Sequence, residues 1–327
     1  MKSFCIKNIK SFRNSGEIIL KPITILVGKN SCGKSSLLRF PALLSQTANY
    51  PDKNPPLSFF GDLVDFGNFE DVVFGKRQNE ISFSISYNVD ISESSLIIQR
   101  FNGVDMYRQH KLSQKILKKA TIAVCLKRKD KAVKVKRVSV DVDEYHLSNL
   151  EWNEDENVYK LTLSASYENK KIVQLDEEII IRFKQNEVDF DKFIPIYLYN
   201  GLFEAITRSI GYEINNDELP SKIERYIFYK SKGIDHKDEL SDKEQKVAEI
   251  YEKFNFSAVI MANIYYAFNA ECRNFVSYIG PFRQRPDRIY RYSEAKKIHV
   301  GAKGEKLGDI LVEAYQNKDS IYDELSK

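Results

Sequence analysis

The chain has 327 residues, 43% of them hydrophobic and 29% charged, with a formal net charge of +4 and a pI near 8.6. That length can bury a sizeable core in more than one lobe, and the composition is that of a soluble globular protein. The mild basicity does not by itself argue for nucleic acid, and no apolar stretch approaches the ~18–20 residues that would span a membrane. Lys2, Lys7 and Lys10 interrupt the first apolar residues, so no secretory signal is read, and the expected compartment is the cytoplasm. The four cysteines (Cys5, Cys32, Cys125, Cys272) are scattered, with no C-x-x-C pair and no metal spacing. They read as reduced cytosolic thiols rather than as a disulfide framework or a zinc site.

Residues 1–27 predict short strands at 3–7 and 17–20, with turn chemistry from Asn14-Ser15-Gly16 between them. A third, Ile23-Thr24-Ile25-Leu26-Val27, is β-branched and apolar and reads as a buried strand. It leads into Gly28-Lys29-Asn30-Ser31-Cys32-Gly33-Lys34-Ser35, a complete G-x-x-x-x-G-K-[ST] motif, and helical spacing resumes from Ser35 and Ser36 to about Gln46. Strand, glycine loop and helix together let backbone N–H groups and a helix N-terminus wrap a polyphosphate. Gly28 and Gly33 let the backbone approach the phosphates. Lys34 is expected on the β- and γ-phosphates, and the Ser35 hydroxyl on Mg²⁺. The expected ligands are therefore ATP or GTP with Mg²⁺. Cys32 sits at a variable position of the loop and reads either as a redox-sensitive thiol or as a small tolerated residue.

Residues 49–56 form a Pro/Asn-rich loop. From about 57 to 190 the pattern has mostly period two, clearest in Glu80-Ile81-Ser82-Phe83-Ser84-Ile85-Ser86-Tyr87 and repeated at 121–126, 133–142, 158–167 and 171–183. This predicts a β-rich lobe with a short helix near 113–119. Beyond Pro195 helix formers dominate at 196–210, 219–229 and 242–273, with Val247, Ile250, Tyr251 and Phe254 at spacings of three and four. A helical hairpin or arm is expected there. Phe275-Val276-Ser277-Tyr278-Ile279-Gly280-Pro281 reads as a strand returning to the core.

Hydrolysis needs an acidic strand motif for Mg²⁺ and water. The literal candidate, Ile172-Val173-Gln174-Leu175-Asp176-Glu177, reads better as a solvated hairpin edge, because Gln174 interrupts it and Glu178 to Phe183 continue the strand. Neither a Leu-Ser-Gly-Gly-type signature nor a switch histidine is present. The expectation is an amino-terminal piece of a longer protein, or a chain that binds nucleotide without hydrolysing it.

Ile6-Lys7-Asn8-Ile9-Lys10-Ser11-Phe12, followed by residues 23–38, resembles the amino-terminal half of ABC-type ATPases of the SMC/RecF/OLD group. Two further islands, Phe60-Gly61-Asp62-Leu63-Val64-Asp65-Phe66-Gly67-Asn68-Phe69 and Tyr278-Ile279-Gly280-Pro281-Phe282-Arg283-Gln284-Arg285-Pro286, resemble the OLD-like ATPases of bacterial anti-phage operons, including Septu-type and retron-associated forms. The resemblance implies an α/β fold: an ABC/SMC-type ATPase head with an antiparallel β-lobe and an inserted helical arm. Its divisions would be a phosphate-loop core at 1–56, the β-lobe at 57–194, the arm at 195–274 and a return to the core from 275. It also implies that Lys10 and Ser11, with Arg13 nearby, touch the nucleotide. The implied partners are a second copy or higher homo-oligomer, an HNH-type effector nuclease and nucleic acid (DNA or retron-type RNA–DNA), with no membrane. Rival readings are a RecF/SMC-like DNA-repair ATPase and a non-hydrolysing nucleotide-bound scaffold.

Lys127, Arg128, Lys129, Lys134, Lys136 and Arg137 make the densest basic run, either a phosphate-backbone contact for nucleic acid or a solvated hairpin face. Arg283, Arg285, Arg288 and Arg291, interleaved with Tyr290 and Tyr292, form a second cluster that reads as nucleotide-site, interface or nucleic-acid surface. Trp152, among acidic residues, reads as a partner contact or as local packing.

Overall fold

The computed structural model describes residues 1–76, 79–90, 100–101, 104–105, 117–130, 132–168, 171–197, 202–212, 219–230, 240–274, 278 and 307–317. Most of the expected strand at 275–281 and the whole arginine–tyrosine cluster at 283–292 lie outside the described residues.

The first strands are β1 (Ser3–Ile9), β2 (Phe12–Asn14) and β3 (Ile18–Ile19), with α1 (Lys34–Asn49) after the glycine loop. β1 pairs antiparallel with β2 and β3 along one edge, and with β4 (Glu80–Asp90) along the other. The single-turn helix α2 (Phe69–Val72) precedes β4, and a two-residue pair, β5 (Arg100–Phe101) and β6 (Val104–Asp105), follows it. Then comes a meander: β7 (Leu117–Lys129), β8 (Ala132–Val142), β9 (Tyr145–Asn153), β10 (Val158–Glu168) and β11 (Lys171–Lys184). The result is one nine-stranded antiparallel sheet in the order β11-β10-β9-β8-β7-β4-β1-β2, with β3 beside β1. Asp130, Asp143 and Asn157 turn its hairpins at φ of 57°, 51° and 54°, a region that Asp and Asn tolerate best among residues with side chains. Because β1 pairs β4, the sheet runs across the expected division at residue 56 without a break.

Two expectations are corrected here. Residues 117–119, assigned to a short helix, open strand β7. Residues 23–27, assigned to a buried strand, join no sheet: Ile23, Ile25 and Val27 are 82%, 77% and 86% exposed. The run is apolar and β-branched, but β1 has its two edges filled by β2/β3 and β4, so no strand stands beside it.

Alternation decides which face of the sheet is covered. Ile81, Phe83, Ile85, Tyr87 and Val89 are all buried, and Phe83 meets Phe40 of α1, which stacks on Phe4 of β1. A hairpin of β12 (Asp189–Asp191) and β13 (Ile194–Tyr197) adds Phe193, packed edge-on to Phe83 and Phe268. The helices α3 (Leu202–Ser209), α4 (Leu219–Lys230) and α5 (Asp242–Asn274) follow, with α6 (Leu307–Gln316) last. α5 is 33 residues long, about 50 Å, and lies along the sheet against β4, β10 and α1. Its first half (Val247, Tyr251, Phe254) closes a second core with α3, α4, β10 and β11; its second half (Ile260, Ile264, Phe268) belongs to the first. The molecule is thus mixed α/β, a large antiparallel sheet with several helices. Among the described residues no helix is long and apolar enough to cross a membrane.

Candidate phosphate-binding loop

The glycine loop is built by backbone conformations that side chains resist. Gly28 lies at φ +156°, Ser31 at +62° and Gly33 at +97°, and α1 starts on the next residue. At Gly33 a second constraint adds to the first: a Cβ there would stand 2.6 Å from the Phe12 ring and 3.1 Å from Ser11 Cβ. The turn between β1 and β2 therefore sits directly on the loop, and only glycine fits beneath it. The side chain of Lys34 folds back over the loop, donating to the carbonyls of Gly28 (2.7 Å) and Lys29 (2.6 Å). Ser36 and Leu37 return their N–H groups to Gly33 O, while the N–H groups of Lys34 and Ser35 have no helical acceptor upstream. An ammonium, the N–H donors at the start of α1 and a turn bounded by two glycines are the kinds of group that can meet a phosphate. The exposed hydroxyl of Ser35 is one oxygen ligand for Mg²⁺; phosphate oxygens and water would have to supply the others. Among the described residues no three His, Cys, Asp or Glu side chains gather to hold a metal.

Lys29, Asn30 and Cys32 are solvent-exposed, and Cys32 Sγ lies 3.9 Å from Lys34 Nζ. All four cysteines are free thiols. Of the residues expected beside the loop, Ser11 is in place against Gly33, and Arg13 is exposed on β2. The Lys10 ammonium turns elsewhere. It donates to Phe66 O (2.7 Å) and lies 5.6 Å from the centroid of the Phe66 ring, which Arg39 of α1 approaches to 5.4 Å while bonding Asp65 O.

This brings in residues that motif reading missed. The 57–69 segment wraps α1. Gln46, almost wholly buried, donates to Ser58 O (2.7 Å) and accepts from the N–H groups of Leu63 (3.1 Å) and Val64 (3.0 Å). Thr47 Oγ1 accepts from Ser58 N (3.0 Å), and Phe66 N returns to Phe59 O. Phe12, Arg39, Gln46 and Phe66 thus tie three separate stretches to one helix. The island at 60–69 was the only signal of this in the sequence, and it carried no position in space.

The chain matches no family model, no curated protein and no solved structure.

Asp176 and Glu177 lie exposed on β11, the far edge strand, paired with β10 as a hairpin. Five strands separate β11 from β1, so at about 4.8 Å per strand the two are roughly 29 Å apart across the sheet. Neither carboxylate can serve a metal at Ser35. In the basic run Lys127 pairs with Glu154, Arg128 with Glu70, Lys136 with Glu80 (2.7 Å) and Arg137 with Glu151. The bond from Glu80 holds Lys136 above the ordinary lysine range, and Glu151 does the same for Arg137. Lys129 and Lys134 stay exposed to solvent.

Proposed function

We propose that this chain is a nucleotide-binding switch subunit that takes the polyphosphate of ATP, with Mg²⁺, on residues 28–35. The supporting observation is the Lys34 ammonium folded onto the carbonyls of Gly28 and Lys29 at the start of α1, in a loop where the Phe12 ring leaves room only for glycine at position 33. Lys34 would bind the β- and γ-phosphates, Ser35 would ligate Mg²⁺, and the first N–H groups of α1 would meet the remaining oxygens. The wider role, a cytoplasmic homo-oligomeric ATPase of a bacterial anti-phage system that governs an effector nuclease, rests on the resemblance of residues 6–12, 23–38, 60–69 and 278–286 alone. A second reading, nucleotide held without turnover, is favoured by the placement of Asp176 and Glu177 on the distant edge strand.

The test is a titration of the purified chain with a fluorescent ATP analogue and Mg²⁺, beside Lys34→Ala. Loss of two charge-assisted bonds predicts at least a tenfold weaker Kd for the variant. Equal binding by both proteins, or none by either, refutes the assignment. ATP turnover in the same samples separates the two readings.

A further inference from the structure

The hairpin β7–β8 carries four lysines on one face. Lys127 and Lys134 are cross-strand partners, and Lys129 and Lys136 lie two residues further along the same face of each strand. Like charges placed directly opposite are unfavourable in a sheet. Two of the four are neutralised, Lys127 by Glu154 and Lys136 by Glu80. Lys129 and Lys134 are the exposed pair. All four lysines line a pocket of about 80 Å³, with Trp152 and Tyr159 of the adjoining hairpin β9–β10, Asn157, Gln185 and the Glu154 carboxylate that Lys127 neutralises also in its wall. Those two rings are themselves cross-strand partners, 4.8 Å apart, and Tyr159 Oη is anchored on Val135 O, so the indole stands on a fixed support. The pocket has room for a phosphate group and opens to solvent.

We propose that this pocket holds one phosphate of a single-stranded nucleic acid between Lys129 and Lys134, with an unpaired base lying against Trp152. Lysine ammoniums supply a sequence-independent grip on the backbone, and an indole stacks any base that a duplex does not enclose. Arg128 and Arg137, committed to Glu70 and Glu151, take no part. The site is independent of the phosphate loop, so the two assignments fail separately.

Trp152 is the only tryptophan of the chain, so its emission reads this pocket alone. The experiment titrates the intact chain with oligo-dT and oligo-U of twelve nucleotides, following tryptophan fluorescence, with duplex DNA and polyglutamate as comparisons. Saturable quenching by a single strand is expected. With one phosphate neutralised, a fourfold rise in salt should weaken binding about 2.6-fold. Lys129→Ala/Lys134→Ala, both at exposed positions, should weaken it at least tenfold, while Lys34→Ala leaves the titration unchanged. The DNA and RNA arms identify the source of the strand. Quenching by duplex or polyglutamate equal to that by the single strand overturns the proposal. So does an unaltered titration for the double variant, or no quenching at all.

Discussion

The ring of Phe12 occupies the place where a side chain at position 33 would stand, 2.6 Å from that missing carbon. A strand residue and a loop glycine are therefore fitted to each other. Gly33→Ala has to push the ring aside and hold alanine at φ +97°, which together should cost about 2–4 kcal/mol and distort the start of α1. Urea unfolding and nucleotide titration measure both effects. Adding Phe12→Ala should recover the steric share but not the backbone share. If the double variant is no more stable than the sum of the single ones, the contact is not the constraint.

Gln46 saturates three backbone groups with one buried amide. Gln46→Ala strands Ser58 O and the N–H groups of Leu63 and Val64, for an expected loss of about 2–4 kcal/mol in urea unfolding. Phe60→Ser, on the same segment but 73% exposed, should fall within about 0.5 kcal/mol of the wild type. Similar values for the two variants would mean that Gln46 does not hold the segment.

Alkaline pH should destabilise the fold through Cys272. Burial raises its thiol pKa from 9.0 to about 11, with the bond from Tyr87 (3.5 Å) acting in the opposite sense. A folded pKa above the unfolded one means that the native state holds the proton more tightly. The contribution is intact below pH 9 and is lost as pH rises through 11, at most about 3 kcal/mol. Unfolding midpoints from pH 8 to 11 should fall, and Cys272→Ala should flatten part of that fall. An unchanged slope in the variant assigns the alkaline loss to other groups, the buried Tyr159 phenol (pushed up to about 12) among them.

Ile25→Thr should be nearly silent in stability, within about 0.5 kcal/mol, because that side chain is 77% exposed. The same change on a buried central strand would cost several times more. A large loss would place residues 23–27 inside a packed sheet.

Legibility in the sequence followed whether a signal was local. Alternation at 80–87 lies within β4, and spacings of three and four at Val247, Ile250, Tyr251 and Phe254 lie within α5, because a strand or helix face is defined by its own residues. Residues 23–27 read as a buried strand because β-branched apolar composition describes fitness for a sheet, while burial needs neighbours that composition does not name. Lys10 was expected at the nucleotide and is bonded to Phe66, a partner fifty-six residues away that no spacing rule connects to it. The loop itself was legible because its glycines answer to backbone conformation. The amide of Gln46 was not, since a glutamine near a helix end is ordinarily a surface residue.

The helix α1, with Pro41 in its interior, also links two distant parts of the molecule. The phosphate loop is at its start, and about 24 Å away its other end carries the segment that displays Phe60. A tilt of about 5° at the loop carries that end through about 2 Å, more than hydrogen bonds of fixed length absorb without moving their partners. Small motions around the glycine loop are thereby magnified at an exposed aromatic ring. By reciprocity, a partner seated on that ring would act back on the glycine loop.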